Sequence, residues 1–181
     1  FIFFRNDRLG DFLIISNLIK AIKNKYPYSK ITIVSSKHNN HFIKKYKIID
    51  NVILYDKNFN IFKKFKIFKK IINKNYEASF ALDGKSFSFF CNLFIKSKKK
   101  LALFYKYKIF GITFFKPNIL NTFFFDHFET FTSKKNLTRI EHLPSKFINL
   151  GNYLDLKIKP KDKYYFLPSS NANKIKNKIK E

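Results

Sequence analysis

The sequence lacks methionine and tryptophan, and its 181 residues include one cysteine, four glycines and three arginines. The single cysteine, Cys91, excludes an internal disulfide, argues against a cysteine-based metal site and fits a reducing cytoplasm. Lysines interrupt every apolar stretch, so no run approaches the roughly 18 apolar residues of a membrane-spanning helix. No cleavable signal peptide is visible. Because the chain starts at Phe1 and ends in a lysine-rich run, we expect it to be a fragment.

Positive charge dominates the composition, with a formal net charge of +25 at pH 7. Such a charge favours polyanionic partners, either nucleic acid or an anionic membrane surface. A nucleotide composition rich in A and T would also explain it, because Lys, Asn, Ile, Phe and Tyr are abundant while Gly, Ala and Arg are scarce. In both cases we expect any partner to be acidic or to lie near an acidic surface.

Alternating apolar strands and amphipathic helices predict one α/β domain with a parallel sheet and helices on both faces, a Rossmann-like fold. Strands are expected at 1–4, 30–36, 52–55, 76–82 and 101–104, and helices at about 12–22, 38–47, 59–75 and 86–96.

Three segments are predicted in more detail. The broad apolar stripe of the 59–75 helix is expected to pack in the core. Residues 105–128 fit either a short strand pair or an irregular loop over the sheet. A last helix over 142–150 is expected to end at Gly151 in a left-handed conformation.

The polar segment after the first strand concentrates rare residue types. Arg5–Asp11 holds two of the three arginines, one of the four glycines and two of the 12 acidic residues. Because lysine supplies positive charge elsewhere, the guanidinium groups of Arg5 and Arg8 indicate a site that needs a planar fork for a carboxylate or phosphate. Gly10 permits a tight turn or a close backbone approach. Asp11 is either a helix-capping carboxylate or a general base.

A second polar loop, Asp83–Ser86, follows the fourth strand. Ligands of open parallel sheets bind outside the carboxyl ends of the strands, so two central strands would direct both polar loops into one crevice. The first loop has no dinucleotide-binding glycine pattern, and no phosphate-binding P-loop occurs anywhere. We therefore expect no cofactor and no metal in this chain.

The segment Phe3–Asp11, followed by an apolar helix, Tyr26-Pro27 and the strand Lys30–Val34, resembles the opening of glycosyltransferase family 9, the bacterial lipopolysaccharide heptosyltransferases. Further likenesses are supporting ones: Ile48–Asp56 to the family's second repeat, Leu82–Lys85 to its loop after the fourth strand, and His142 before a helix ending in Leu150-Gly151. The resemblance covers about residues 1–156. One departure is the missing proline in Ile14–Asn17, which leaves acceptor choice open.

The resemblance implies the two-domain GT-B fold, with acceptor bound by the N-terminal domain and a nucleotide-activated sugar by the C-terminal domain. Residues 1–156 would be the acceptor-binding domain, and residues 157–181 a linker and the start of the second domain. Asp11 would be the general base of an inverting transfer. The expected substrate-binding residues are Arg5, Asp7, Arg8, Gly10, Asp83, Gly84, Lys85, Ser86 and His142.

Two of these roles have open alternatives. Arg5 and Arg8 hold acidic groups of the acceptor or else brace Asp7 and Asp11, and Ser86 binds acceptor oxygens or else caps its helix.

The implied partners are a glycolipid or lipopolysaccharide-core acceptor, a nucleotide-sugar donor and an anionic membrane surface, contacted by lysines and aromatic residues on exposed helices. The implied location is cytoplasmic and peripheral at the inner face of the bacterial inner membrane, without a nucleic-acid partner. The alternatives are a basic nucleic-acid-binding module and a non-catalytic α/β domain. As a fragment, the chain is expected to be inactive alone.

Overall fold

The computed structural model describes residues 1–5, 9–110, 112–116, 119–132 and 143–158. Its strands are β1 (Ile2–Arg5), β2 (Thr32–Ser35), β3 (Asn51–Leu54), β4 (Asn75–Ala81), β5 (Lys96–Ile109), β6 (Ile112–Lys116) and β7 (His127–Thr132). Its α-helices are α1 (Leu9–Lys25), α2 (Lys37–Ile43), α3 (Ile61–Ile72), α4 (Ser86–Phe94) and α5 (Leu143–Asn152), with a 3-10 helix at Ile119–Phe124.

The sheet has the strand order β3-β2-β1-β4-β5-β6, and β7 pairs with β5. Strands β1 to β5 are parallel, and only the β5–β6 pair is antiparallel among the described pairings. From β1 the chain first builds outward through β2 and β3, then returns to add β4 on the other side, where Phe4 is in register with Ala81. The predicted Rossmann-like sheet is confirmed, and its topological switch point lies between β1 and β4.

Helices cover both faces of this sheet. One core cluster joins α1, α2 and α5 to the sheet through Phe12, Ile43 and Phe147. The opposite cluster joins α3 and α4 to it through Ile71 and Cys91. Successive side chains of β1 pack alternately in the two clusters, because neighbouring side chains of a strand point to opposite faces of the sheet. In the described ranges, none of the helices is both long enough and apolar enough to cross a bilayer.

The expected core packing of the whole α3 stripe is wrong. Of the α3 residues only Ile71 is fully buried, whereas Phe62 is 82% exposed and Phe65 is 64% exposed. Phe62 precedes Ile71 by about two and a half turns at 3.6 residues per turn, so the two side chains leave the helix in opposite directions. The apolar arc of α3 is therefore wider than the sheet can cover.

Within the segment 105–128, residues 105–109 of β5 and 112–116 of β6 form an antiparallel strand pair, the first of the two predicted interpretations. Strand β5 is much longer than the expected 101–104, because backbone pairing with β4 extends it at one end and pairing with β6 at the other. Only its centre, Leu101–Phe104, is continuously buried. The lysine-rich ends are held in the sheet by main-chain hydrogen bonds, so their side chains carry little signal of a strand.

The predicted left-handed cap at Gly151 is wrong. Helix α5 continues to Asn152, and the left-handed residue is Asp155, with φ 53°. Gly151 allows close packing instead, because a Cβ there would lie 2.5 Å from Cδ1 of Ile158 and 3.2 Å from Cδ1 of Leu18. Most of the predicted second segment, 157–181, lies outside the described residues, so the domain boundary stays a prediction.

Candidate functional site

The switch point is organised by Arg5, the last residue of β1, whose side chain is fully buried. Its Nε donates to the carbonyl oxygen of Asp11 at 3.0 Å, and its Nη1 donates to the carbonyl oxygen of Leu82. Its Nη2 lies 3.4 Å from Oδ1 of Asp11. One guanidinium therefore joins β1, the first turn of α1 and the end of β4.

Neighbouring residues also fix the Arg5 backbone and the position of its guanidinium plane. The Phe147 ring of α5 lies 5.5 Å from Cζ, a distance typical of a cation–π contact. Asn39 Nδ2 of α2 donates to the Arg5 carbonyl oxygen at 3.1 Å. The Arg5 side chain is buried, and its donors contact protein acceptors. Of the two predicted roles of Arg5, the geometry therefore supports the structural one, in which Arg5 braces Asp11.

Asp11 combines a fixed position with access to solvent. It lies in the first turn of α1, and 33% of its side chain is exposed. Its side chain lies at the N-terminus of α1 and beside the Arg5 guanidinium. An oriented and accessible carboxylate is what a general base requires.

The second predicted loop is built around Asp83, which is buried. Its Oδ1 accepts from the Lys85 backbone N–H at 3.0 Å, and its Oδ2 accepts from the Ser88 hydroxyl at 2.7 Å. Burial raises the pKa of Asp83, and these two hydrogen bonds oppose that increase. Asp83 thus closes the N-terminus of α4, a structural role for a residue predicted to bind substrate.

The predicted alternative for Ser86, helix capping, is wrong. Ser86 is the first residue of α4 and is exposed, while the N-cap position belongs to Lys85, whose side chain makes no capping hydrogen bond. Lys85 is half-buried. Both side chains lie beside the switch point, where contact with a ligand stays a prediction.

The two glycines of the site, Gly84 and Gly10, differ in backbone conformation and in the space around them. Gly84 has φ +63°, and a Cβ there would lie 2.5 Å from Cδ2 of Tyr105, whose hydroxyl donates to the Leu82 carbonyl at 3.3 Å. Gly84 is therefore needed by the fold. Gly10 is exposed in α1, and no described atom lies within 4 Å of a Cβ added there. Among the described residues, none occupies the space beside Gly10.

A third polar cluster, missed by the sequence reasoning, follows β2. Asn39 Oδ1 accepts from the Ser36 backbone N–H at 2.8 Å and from its hydroxyl at 3.0 Å. Asn40 Nδ2 donates to Ser35 Oγ at 2.8 Å. The signal was present, because a serine three residues before an amide side chain follows the pattern of a helix-capping box. This cluster fixes the start of α2 against the end of β1.

The N-termini of α1, α2 and α4 thus meet at the carboxyl ends of β1, β2 and β4. Such a set of helix ends attracts anionic or hydroxyl-rich ligands. Asp7, Arg8 and His142 lie outside the described residues, so their binding roles stay predictions. Across the part of the chain that the structure describes, no group of three or more His, Cys, Asp or Glu side chains is placed to hold a metal ion.

Several solved structures share this fold. E. coli heptosyltransferase WaaC with ADP matches 90% of this chain and 49% of its own length, with a TM-score of 0.63 and 12% sequence identity. E. coli ADP-heptose lps heptosyltransferase II matches 98% of this chain and 50% of its own, with a TM-score of 0.64 and 11% identity. A glycosyl transferase family 9 protein from Veillonella parvula matches 92% and 44%, with a TM-score of 0.66 and 14% identity.

These matches confirm, at the level of the fold, the resemblance indicated by the sequence. The chain spans about half the length of each of these glycosyltransferases. No protein-family profile matches the sequence, and no curated protein matches it.

Proposed function

We propose that this chain is the N-terminal, acceptor-binding half of a GT-B glycosyltransferase of the heptosyltransferase type. One observation carries the proposal: Asp11, at the switch point of the sheet, is oriented by a buried arginine and remains accessible to solvent. The fold shared with heptosyltransferases supports the reaction class, and the absence of described atoms within 4 Å of a Cβ placed on Gly10 is consistent with room for an acceptor.

In the proposed reaction, an acceptor hydroxyl lies against the Asp11 carboxylate. The carboxylate takes the hydroxyl proton as the oxygen forms its bond to the anomeric carbon of the donor sugar. The bond from that carbon to the nucleoside diphosphate breaks, and the diphosphate leaves with the bonding electron pair. Attack opposite the leaving group inverts the anomeric centre.

In this proposal, a second domain binds the donor and the present domain binds the acceptor. The two E. coli WaaC structures carry ADP and ADP-2-deoxy-2-fluoro heptose, which makes an ADP-linked sugar the first donor to test. The proposed acceptor is a lipopolysaccharide core or a similar glycolipid. A cytoplasmic site at the inner face of the inner membrane follows from that acceptor class.

The test is Asp11→Asn in the full-length protein that carries this chain. Release of nucleoside diphosphate is measured with ADP-heptose and core-truncated lipopolysaccharide, and then with other nucleotide sugars. Loss of the base is expected to lower turnover by roughly 100-fold or more. The matched control is Asp155→Asn, since Asp155 is exposed, lies far along the chain and has a left-handed backbone that asparagine tolerates.

Thermal unfolding separates loss of chemistry from loss of fold. Asp11→Asn should unfold cooperatively, while Asp155→Asn should match the unmutated protein in both assays. Unchanged turnover for Asp11→Asn would remove Asp11 as the base. Absence of transfer from every nucleotide sugar by the unmutated protein would remove the glycosyltransferase assignment itself.

A further inference from the structure

Helices α3 and α4 present a large apolar surface to solvent beside the switch point. We name it the α3–α4 face and define it by five side chains that are half or more exposed: Ile61, Phe62, Phe65, Phe90 and Phe94. Isolated exposed apolar residues are ordinary, whereas a contiguous group on neighbouring helices marks an interaction surface.

The exposed rings are contiguous because partly buried rings join them. Phe68 of α3 contacts two rings of α4, with centroid distances of 5.3 Å to Phe90 and 5.8 Å to Phe94. Between the two helices lies an apolar groove of about 550 Å³, also lined by Phe62, Phe65 and Phe87. The surface is thus a ridge of phenylalanines beside a groove large enough for aliphatic chains.

The two helices that form this surface carry charge of one sign only. Residues 57–76 include seven lysines and no acidic residue, and α4 carries no charged residue. On α3, Lys66 follows Phe62 by four residues and Lys69 follows Phe65 by four, so each lysine lies one turn from an exposed ring. Lys64 lines the groove itself. Phenylalanines are therefore flanked by ammonium groups that extend toward whatever covers the face.

We propose that the α3–α4 face binds an anionic lipid bilayer, with Phe62 and Phe65 inserted among the acyl chains. A basic helix with exposed aromatic residues binds in the interfacial plane by combining apolar burial with attraction to anionic headgroups. Charge complementarity selects this occupant over a second copy of the chain, because a symmetric contact would bring two lysine-rich surfaces together. None of the carboxylates that such a contact needs lies within residues 57–76.

The position of this face relates it to the switch point. Helices of βαβ units return antiparallel to the strands, so the N-termini of α3 and α4 lie at the carboxyl edge of the sheet. Phe62 lies in the first turn of α3, and Phe87 follows the Asp83 loop at the start of α4. Docking on a bilayer would bring Asp11 near the headgroups. That consequence rests on the proposed function, whereas bilayer binding itself does not.

The experiment is vesicle co-sedimentation of the full-length protein. One set of vesicles contains equimolar phosphatidylcholine and phosphatidylglycerol, and the other contains phosphatidylcholine alone. Phe62→Ser with Phe65→Ser removes the inserted rings, and Lys66→Glu with Lys69→Glu reverses the flanking charge. Each double variant is expected to lower partitioning onto the anionic vesicles by roughly 10-fold or more, and the unmutated protein should bind phosphatidylcholine alone far less.

Matched control variants test whether the position of the substituted residues matters, and not only the change in charge or in the number of aromatic residues. Lys20→Glu with Lys44→Glu changes the net charge by the same amount on α1 and at the residue that directly follows α2, on the opposite side of the sheet. Tyr28→Ser removes a 99% exposed aromatic ring from the turn after α1. Both controls should keep partitioning within about 2-fold of the unmutated protein, because neither touches the face that inserts.

Three outcomes would overturn the proposal. Equal losses in the test and control charge variants would mean that binding follows net charge alone. Retained vesicle binding in Phe62→Ser with Phe65→Ser, together with a change from dimer to monomer in sedimentation equilibrium, would make the face an interface between copies. Competition by a single-stranded oligonucleotide that abolishes vesicle binding would indicate a nucleic-acid surface. Asp11→Asn should bind vesicles normally, so failure of the catalytic proposal is distinguishable from failure of this one.

Discussion

Nη2 of Arg5 lies 3.4 Å from Oδ1 of Asp11, and Nε of the same guanidinium donates to the Asp11 carbonyl oxygen at 3.0 Å. A fully buried strand residue thus fixes both the backbone and the carboxylate of a partly exposed helix residue. The planar fork is needed because three acceptors are contacted from one group, which an ammonium cannot reproduce. In a chain whose basic residues are mostly lysines, position 5 therefore needs arginine for a structural reason.

Arg5→Lys is therefore expected to destabilise the fold and to lower activity together. Lysine keeps the charge but cannot reach the Leu82 carbonyl and both Asp11 acceptors, so we expect a loss of about 2 kcal/mol in the free energy of unfolding. Misplacement of Asp11 should lower turnover by roughly 10- to 100-fold. Urea denaturation and a nucleoside diphosphate release assay measure the two effects.

The matched control is an exposed ion pair of similar composition. Lys98 Nζ lies 2.7 Å from Oε1 of Glu77, with both side chains more than half exposed. Lys98→Met should change stability little, because solvent screens exposed pairs. Arg5→Lys with unchanged stability and turnover would show that the brace is dispensable.

The two site glycines give a paired prediction. Gly84→Ala should lower the free energy of unfolding by about 1–2 kcal/mol for the left-handed backbone, and by more if Tyr105 is displaced. Gly10→Ala should be neutral or stabilising by about 0.5–1 kcal/mol, because Gly10 lies in a helix with open space around it.

Activity then separates the roles of these glycines. If a ligand approaches the backbone at Gly10, Gly10→Ala lowers turnover while its urea midpoint stays the same or rises. If turnover is also unchanged, Gly10 is not part of the binding site. A stable Gly84→Ala variant would contradict the packing argument for Gly84.

Sequence periodicity predicted the order of the first nine elements, since each strand is a short apolar run and each helix has a 3.6-residue period. It did not predict the length of β5, because main-chain pairing, which the side chains do not reveal, extends that strand through lysines. Nor did it reveal which part of the α3 stripe is exposed, because periodicity gives the direction of an apolar face but not its partner.

Asp11 was predicted as the central residue of the site, but the role of Arg5 remained open. The hydrogen bond from Arg5 to the Leu82 carbonyl joins residues 77 apart in sequence. Only the adjacency of β1 and β4 in the sheet brings these two residues together. The role of Asp83 was missed for a similar reason. Its structural partner Ser88 lies five residues further along the chain, and only the turn into α4 brings the Ser88 hydroxyl onto the Asp83 carboxylate.

Asp83 predicts a specific pH dependence of stability. Burial raises the pKa of Asp83 above its ordinary value. Above about pH 4 the unfolded chain loses a proton that the folded chain still binds, so this group lowers stability as pH rises toward its folded pKa.

Asp83→Asn should remove that dependence while keeping both contacts. The asparagine oxygen still accepts from the Lys85 N–H, and its Nδ2 donates to Ser88 Oγ. Urea denaturation at several pH values is expected to show the unmutated protein losing stability relative to Asp83→Asn as pH rises. A constant difference between the two proteins across that range would mean that Asp83 does not titrate differently on folding.

The distribution of lysines predicts weak binding to nucleic acid. Within the described ranges, exposed lysines occur on α1, α2, α3 and β5, on both sides of the sheet, and form no single stripe. We expect only non-specific binding, with Kd on the order of 10⁻⁶ M or weaker at physiological salt. Filter binding over a salt series measures this, and tight binding with a steep salt slope would favour a nucleic-acid-binding module.

Cys91 provides an internal reporter of the fold beneath the α3–α4 face. It is fully buried in the cluster that packs α3 and α4 on the sheet, and burial raises the pKa of its thiol. Since the thiolate is the reactive species, a neutral and inaccessible thiol should not react with a disulfide reagent in the native protein. Reaction should follow the unfolded fraction as urea is added.

The same thiol serves as the fold control for the bilayer proposal. Phe62→Ser with Phe65→Ser changes side chains on the outer side of α3, so Cys91 should stay as protected as in the unmutated protein. Lost vesicle binding with a protected thiol assigns the loss to the surface, whereas a thiol that reacts without urea assigns it to a damaged core. In the second case the milder pair Phe62→Ala and Phe65→Ala repeats the vesicle assay on an intact core, and normal binding there would contradict insertion of these rings.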